Sequence, residues 1–167
     1  MSISARRQLR QALLDAIVNA KIQINDTDVS IQSPGDWVSQ TNTLPGILLR
    51  SSRTSKEPNG RGTQCYTSII TLELESRVMS NSGSDAQDAI EQLDYLIEQA
   101  ILTSSAFMQL VQQVNVDTET EITAEARNHF AGTKWMLRCE IVEEFDSFVD
   151  STLLYSPVEF TPQVTLS

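Results

Sequence analysis

Tyr66-Thr-Ser-Ile-Ile-Thr-Leu-Glu-Leu-Glu75 changes character at every second residue, as a strand with one dry and one wet face must. Tyr66, Ile70, Leu72 and Leu74 share one side; Thr67, Ile69, Thr71, Glu73 and Glu75 share the other. The pattern predicts a strand over 64–77. Upstream, the apolar run Leu44-Pro-Gly-Ile-Leu-Leu-Arg50 predicts a second strand over 44–51. Between the two, Ser51-Ser-Arg-Thr-Ser-Lys-Glu-Pro-Asn-Gly-Arg-Gly62 reads as a basic loop, too long for a tight hairpin and of a length that usually carries function. Arg50, Arg53, Lys56 and Arg61 in and beside it are candidate contacts to an acidic neighbour.

Downstream the period changes from two to 3.6. Ala86, Ala89, Ile90, Leu93, Leu96, Ile97, Ala100 and Ile101 form one apolar stripe, so a helix is predicted over 84–104. Ser84 with Gln87 three residues on suggests a capping box, and Asp85 and Asp88 suit the positive end of the helix. Burying the five large residues of that stripe is worth on the order of 10 kcal/mol before entropy is set against it. Tyr95 and Leu102 project from the opposite, polar side and are candidate contacts to another subunit.

The flanking segments complete an α+β plan. Ala5, Leu9, Ala12, Leu13, Ala16, Ile17 and Ala20 lie on one stripe of an N-terminal helix, with Leu14 and Val18 on the other side. Residues 22–43 read as irregular, with a short strand at Val29–Gln32 and a turn at Pro34-Gly35-Asp36. A short helix is expected near Ala106–Gln112, followed by an alternating strand over 114–126. Asn128-His-Phe-Ala-Gly-Thr133 reads as a turn, leading into a strand over 134–145 with Trp135, Leu137, Cys139 and Ile141 on one face. The expectation is a mostly antiparallel sheet built from two hairpins, packed by an N-terminal and a central helix, in one domain over 1–146. From 147 to 167 the chain is weakly charged and broken by Pro157 and Pro162, which reads as an extended arm. Leu154, Tyr155 and Phe160 are its candidate contacts.

At 167 residues the chain is long enough for one real core. It is acidic, with 12 Lys plus Arg against 22 Asp plus Glu, and is repelled by phosphate backbones at long range. The charge is uneven. Residues 1–62 hold eight basic and five acidic residues, whereas 63–167 hold four and seventeen. The N-terminus lacks a secretory h-region, and no apolar run reaches the roughly 18 residues of a membrane span, so a soluble, cytoplasmically made protein is expected. Cys65 and Cys139 fall in predicted strands and read as buried thiols.

Motifs for catalysis are absent from the sequence. A single histidine, His129, gives little material for a triad or a His-rich metal site, and its expected place in a turn suits a structural or solvated role. Asn59-Gly60-Arg61-Gly62 lacks the Lys-Ser/Thr ending of a phosphate-binding loop, and no Gly-x-Ser-x-Gly elbow occurs. If both hairpins join one sheet, its outward side carries Glu73, Glu75, Asp117, Glu119, Glu121, Glu125, Glu140 and Glu144. Such a row is tolerable where water and salt screen it. It suits a solvated face or a wall that repels DNA better than a metal site, whose geometry nothing fixes. No cofactor is expected.

The order of elements resembles the tail terminator family of long-tailed bacteriophages, the lambda-type minor tail proteins. The resemblance spans about residues 5–146. It is carried by Leu9-Arg-Gln-Ala-Leu-Leu-Asp-Ala16, by the strand Pro45-Gly-Ile-Leu-Leu49, and by the acidic and aromatic ending Ile141-Val-Glu-Glu-Phe-Asp146. The longer loop at 51–63 and the arm at 147–167 depart from the family pattern. The resemblance implies an α+β subunit of a hexameric ring that caps the tail tube, stops its polymerisation and meets the head connector or stopper protein. DNA would pass through such a ring without specific binding, and the protein would act in the virion without catalysis or a membrane. A head–tail connector or tail-completion protein of the neck has a similar pattern. A small carboxylate-based enzyme or ligand-binding domain is the alternative from another class.

Overall fold

A computed structural model describes residues 4–32, 44–62, 64–125 and 127–145. The arm at 147–167, with Leu154, Tyr155 and Phe160, and the expected turn at Pro34-Gly35-Asp36 lie outside the described residues. The chain is α+β. Helix α1 (Ala5–Ala20) is followed by a small hairpin of β1 (Gln23–Ile24) and β2 (Thr27–Asp28), then β3 (Ser30–Gln32), β4 (Gly46–Pro58) and β5 (Cys65–Ser80). Helix α2 (Gly83–Leu102), the short α3 (Ser105–Met108), β6 (Gln113–Glu125) and β7 (Asn128–Glu144) complete it. The main sheet has the order β3-β4-β5-β7-β6; only the β3–β4 pairing is parallel.

Both predicted hairpins therefore join one sheet, and alternation sorts its two faces. Ile70, Leu72, Leu74 and Val78 of β5 meet Trp135, Leu137, Cys139 and Ile141 of β7 on the inner face. Helix α2 lies over this face and buries Ala86, Ala89, Ile90, Leu93, Ile97 and Ile101. Helix α1 adds Leu9, Leu13 and Ile17, and packs against both α2 and β4. Its N-terminus is tied down by Arg6, which donates from Nε to Ser51 Oγ (2.8 Å) and from its guanidinium to the Ser51 carbonyl (2.6 Å).

Three boundaries differ from the sequence reading. The expected loop at 51–63 is mostly strand: β4 continues to Pro58, paired with β5 through Pro58↔Tyr66, and only 59–64 connect the two. Those residues look loop-like because this half of β4 sends nothing into the hydrophobic core, so no apolar alternation marks it. The expected turn at 128–133 is also strand, with β7 pairing β5 from His129↔Ser80 onward. Gly132 there is a ladder residue rather than a breaker; a Cβ would make van der Waals contact, 3.4 Å from both Arg77 Cγ and the Ser76 carbonyl. Finally, Ser82 rather than Ser84 caps α2, its hydroxyl accepting from the Asp85 N–H at 3.1 Å. The β1–β2 hairpin falls in a stretch read as irregular; Asn25 and Asp26 turn it in the left-handed region, which these side chains tolerate.

One polar network interrupts the apolar interface. Asp94 of α2 accepts from Ser76 Oγ (2.8 Å) and Thr133 Oγ1 (2.6 Å). Trp135 Nε1 donates to Ser76 Oγ at 3.4 Å, and the Thr120 and Thr133 hydroxyls lie 3.0 Å apart. Burial pushes the Asp94 carboxyl up, against the lowering effect of these donors. Ser76 and Thr133 are themselves fully buried, so removing their acceptor leaves desolvated hydroxyls. Asp94→Ala should cost about 2 kcal/mol in urea denaturation, whereas Asp88→Ala on the exposed side of α2 should stay within about 0.5 kcal/mol of wild type.

Candidate functional site

The helices cover one face of the main sheet, and the other is charged. Strand register places Glu73 and Glu75 of β5, Asp117, Glu119, Glu121 and Glu125 of β6, and Glu140 and Glu144 of β7 on this outer face. Basic residues stand among them. Arg50 pairs with Glu73 at 2.5 Å, Arg77 with Glu75 at 2.6 Å and Arg138 with Asp117 at 3.5 Å, while Lys134 stands opposite both Glu75 and Glu119. Sequence alternation places Lys134 and Arg138 on this face beside Glu140 and Glu144, but it does not pair them, because the bases sit on different strands from most of their partners. Ser52 and Arg50 hold the Glu73 carboxylate below its ordinary range, the Ser52 hydroxyl contributing most, against a smaller opposing effect of burial.

These side chains border a concavity of about 400 Å³, with Leu48 and Met136 between Arg50, Glu73, Glu75, Asp117, Glu119 and Lys134. Its walls carry both signs of charge, and among the described residues no three His, Cys, Asp or Glu side chains come together as a metal site. His129 is not in a turn. It lies in β7 on the inner face, with its ring against the start of α2. Cys139 is fully buried and its thiol is pushed up to about 12 by burial, so it is inert as a nucleophile. Cys65 is only half-buried, contrary to the sequence reading, and accepts from Asn59 Nδ2 at 3.2 Å; both thiols are free.

No protein-family model matches this chain, and no curated protein matches it in sequence. Among the described residues no helix is long and apolar enough to cross a membrane.

The basic candidates divide. A β-bulge between Ser51 and Arg53 shifts the side-chain alternation, so Arg50 and Arg53 both face outward while Lys56 turns to the inner side. There Lys56 pairs with Glu143 at 2.5 Å and stands 4.4 Å above the Phe145 ring, which meets Tyr66 edge-on. Ser68 Oγ also donates to Glu143. Burial alone would raise the Glu143 carboxyl, but its hydrogen bonds and the Lys56 charge outweigh that and hold it low. Arg61 sits in the short β4–β5 connection, and Arg53 has no ion-pair partner among the described residues. Tyr95 and Leu102 stand exposed on α2, at 64% and 46% of their full accessibility.

The exposed row on β6 is the part of this surface least used within the chain. Glu119, Glu121 and Glu125 make no ion pair among the described residues, and every β6 residue except Val114 is exposed.

The Lys56–Glu143 pair gives a pH test with a defined sign. Glu143 is lowered in the folded chain, so the stability it contributes is complete above about pH 4.5 and is lost as pH falls through its depressed value. Lys56→Met should destabilise by about 1 kcal/mol at pH 7, the pair being partly screened by solvent. That deficit should shrink as acid protonates Glu143, which denaturation at pH 7, 5 and 3 measures directly.

Proposed function

We propose that this chain is a ring-forming structural protein of the phage tail terminator type, which caps a tail tube, stops its growth and joins it to the head connector. The observation that carries the reading is a sheet longer than its own core needs. Strand β7 has 17 residues and would extend about 55 Å, against about 30 Å for the 20 residues of α2. From Arg50 to Pro58, β4 gives nothing to the core, and β6 gives it only partial cover through Val114. A domain that acts alone has little use for such strands, whereas one that acts through neighbours uses them as contact surface. The order of elements adds the resemblance to tail terminators, and the outer carboxylates suit a passage that DNA crosses without being held. Tyr95 and Leu102 remain candidate contacts on the helix side.

Mass measurement of the purified chain, alone and with tail-tube protein, together with images of the particles, tests this. Closed rings that bind tube ends and stop their elongation are the expected outcome. A chain that stays monomeric and never joins a tube end sinks the reading. Rings that bind a head connector but ignore tube ends would place the protein elsewhere in the neck.

A further inference from the structure

We propose that the open edge of β6 is the docking site for the β4 edge of a second copy of this chain, in a head-to-tail pairing that continues the sheet from subunit to subunit. The inference rests on the ring-forming reading and names the contact that would build the ring. Both edges are available: among the described residues β4 is paired on its outer side only over Gly46–Leu48, by β3, and β6 is paired only by β7. Unpaired strand edges present rows of N–H and C=O groups ready to accept another strand.

Direction fits as well. Three successive antiparallel pairings separate β4 from β6, so the two run in opposite senses within one subunit. Two copies placed side by side in the same orientation bring β6 of one antiparallel to β4 of the next.

Charge favours this pairing. Between Arg50 and Pro58, β4 carries Arg53 without an ion pair among the described residues, with Arg50 and Lys56 held by Glu73 and Glu143. Strand β6 carries four acidic residues and no basic one, of which Glu119, Glu121 and Glu125 make no ion pair among the described residues. Two β6 edges repel each other, which disfavours a two-fold dimer through that edge. Opposite edges attract, and such a heterologous contact closes into a ring when its rotation allows.

The helix layer supplies the fourth argument. On the inner side of β6, Val116 and Ile122 stay exposed at 37% and 42%, because α2 covers β5 and β7 more than this strand. Helix α1 is carried on β4 through the Arg6–Ser51 bonds. An incoming β4 edge would bring its α1 beside that apolar strip, with the half-exposed Val18 at the new helix–helix boundary.

Two full-length variants test the pairing. Variant one carries Arg53→Glu and Ser55→Glu, making its β4 edge acidic; variant two carries Glu119→Lys, Glu121→Lys and Glu125→Lys, making its β6 edge basic. Each alone juxtaposes like charges and should lose roughly tenfold or more in association, whereas an equimolar mixture should restore rings of alternating subunits. Rings formed by each variant as readily as by wild type would overturn this interface while leaving the ring reading intact. A monomeric wild-type chain would remove the ring reading itself. Should either variant misfold, hydrogen exchange on the wild-type chain decides: amides of 49–57 and 113–125 should gain protection on assembly, and unchanged exchange in both would overturn the pairing.

Discussion

The sixteen-residue ladder between β5 and β7 is the constraint on which the rest of the structure depends. Its register sets which residues of both strands face inward, and so fixes the apolar floor on which α2 rests, with α1 packed in turn against α2 and β4. A slip of one residue would turn one strand over, bringing either Glu73 and Glu75 of β5 or Arg138 of β7 under α2 and moving Leu72 and Leu74, or Leu137, into water. Several desolvated charges would then lack partners, so the pairing is specified by its penalties as much as by its contacts. The Asp94 network adds a directional requirement that the apolar stripe lacks, because two buried hydroxyls must meet one carboxylate.

Where burial is one-sided, the sequence announces the structure. The alternation from Tyr66 to Glu75 and the stripe from Ala86 to Ile101 are legible because each puts one face into the core and one into water. The outer half of β4 is illegible for the same reason in reverse. Neither side of Ser51–Pro58 reaches the hydrophobic core, and its Ser, Arg, Thr and Lys residues look like a loop although they form a regular ladder. Gly132 misled differently: its residue type suggests a turn, whereas it is a regular member of the ladder opposite Arg77. Capping at Ser82 rather than Ser84 is a choice between two competent serines that sequence spacing alone does not make.

The charged face was half-legible. Its carboxylates follow from alternation once the hairpins share a sheet, but the ion pairs formed by Arg50 and Arg138 depend on which strands become neighbours. Those pairs leave the centre of the outer face close to balanced and its β6 margin strongly acidic. Exposed pairs of this kind add little stability, so their larger effect is on what the surface attracts.

The bulge after Ser51 acts as a phase shift in the strand. Were Ser52 a regular member of the ladder, Arg53 would point inward and Lys56 outward, and Lys56 would no longer meet Glu143. Length changes along β4 are therefore unequal in their effects. Loss of Ser52 would leave every later side chain on its present face, at the expense of the hydroxyl that holds Glu73. Loss of a single residue between Arg53 and Glu57 would invert the faces of whatever follows it. This strand can thus absorb a deletion at one position and be turned over by the same deletion one step away.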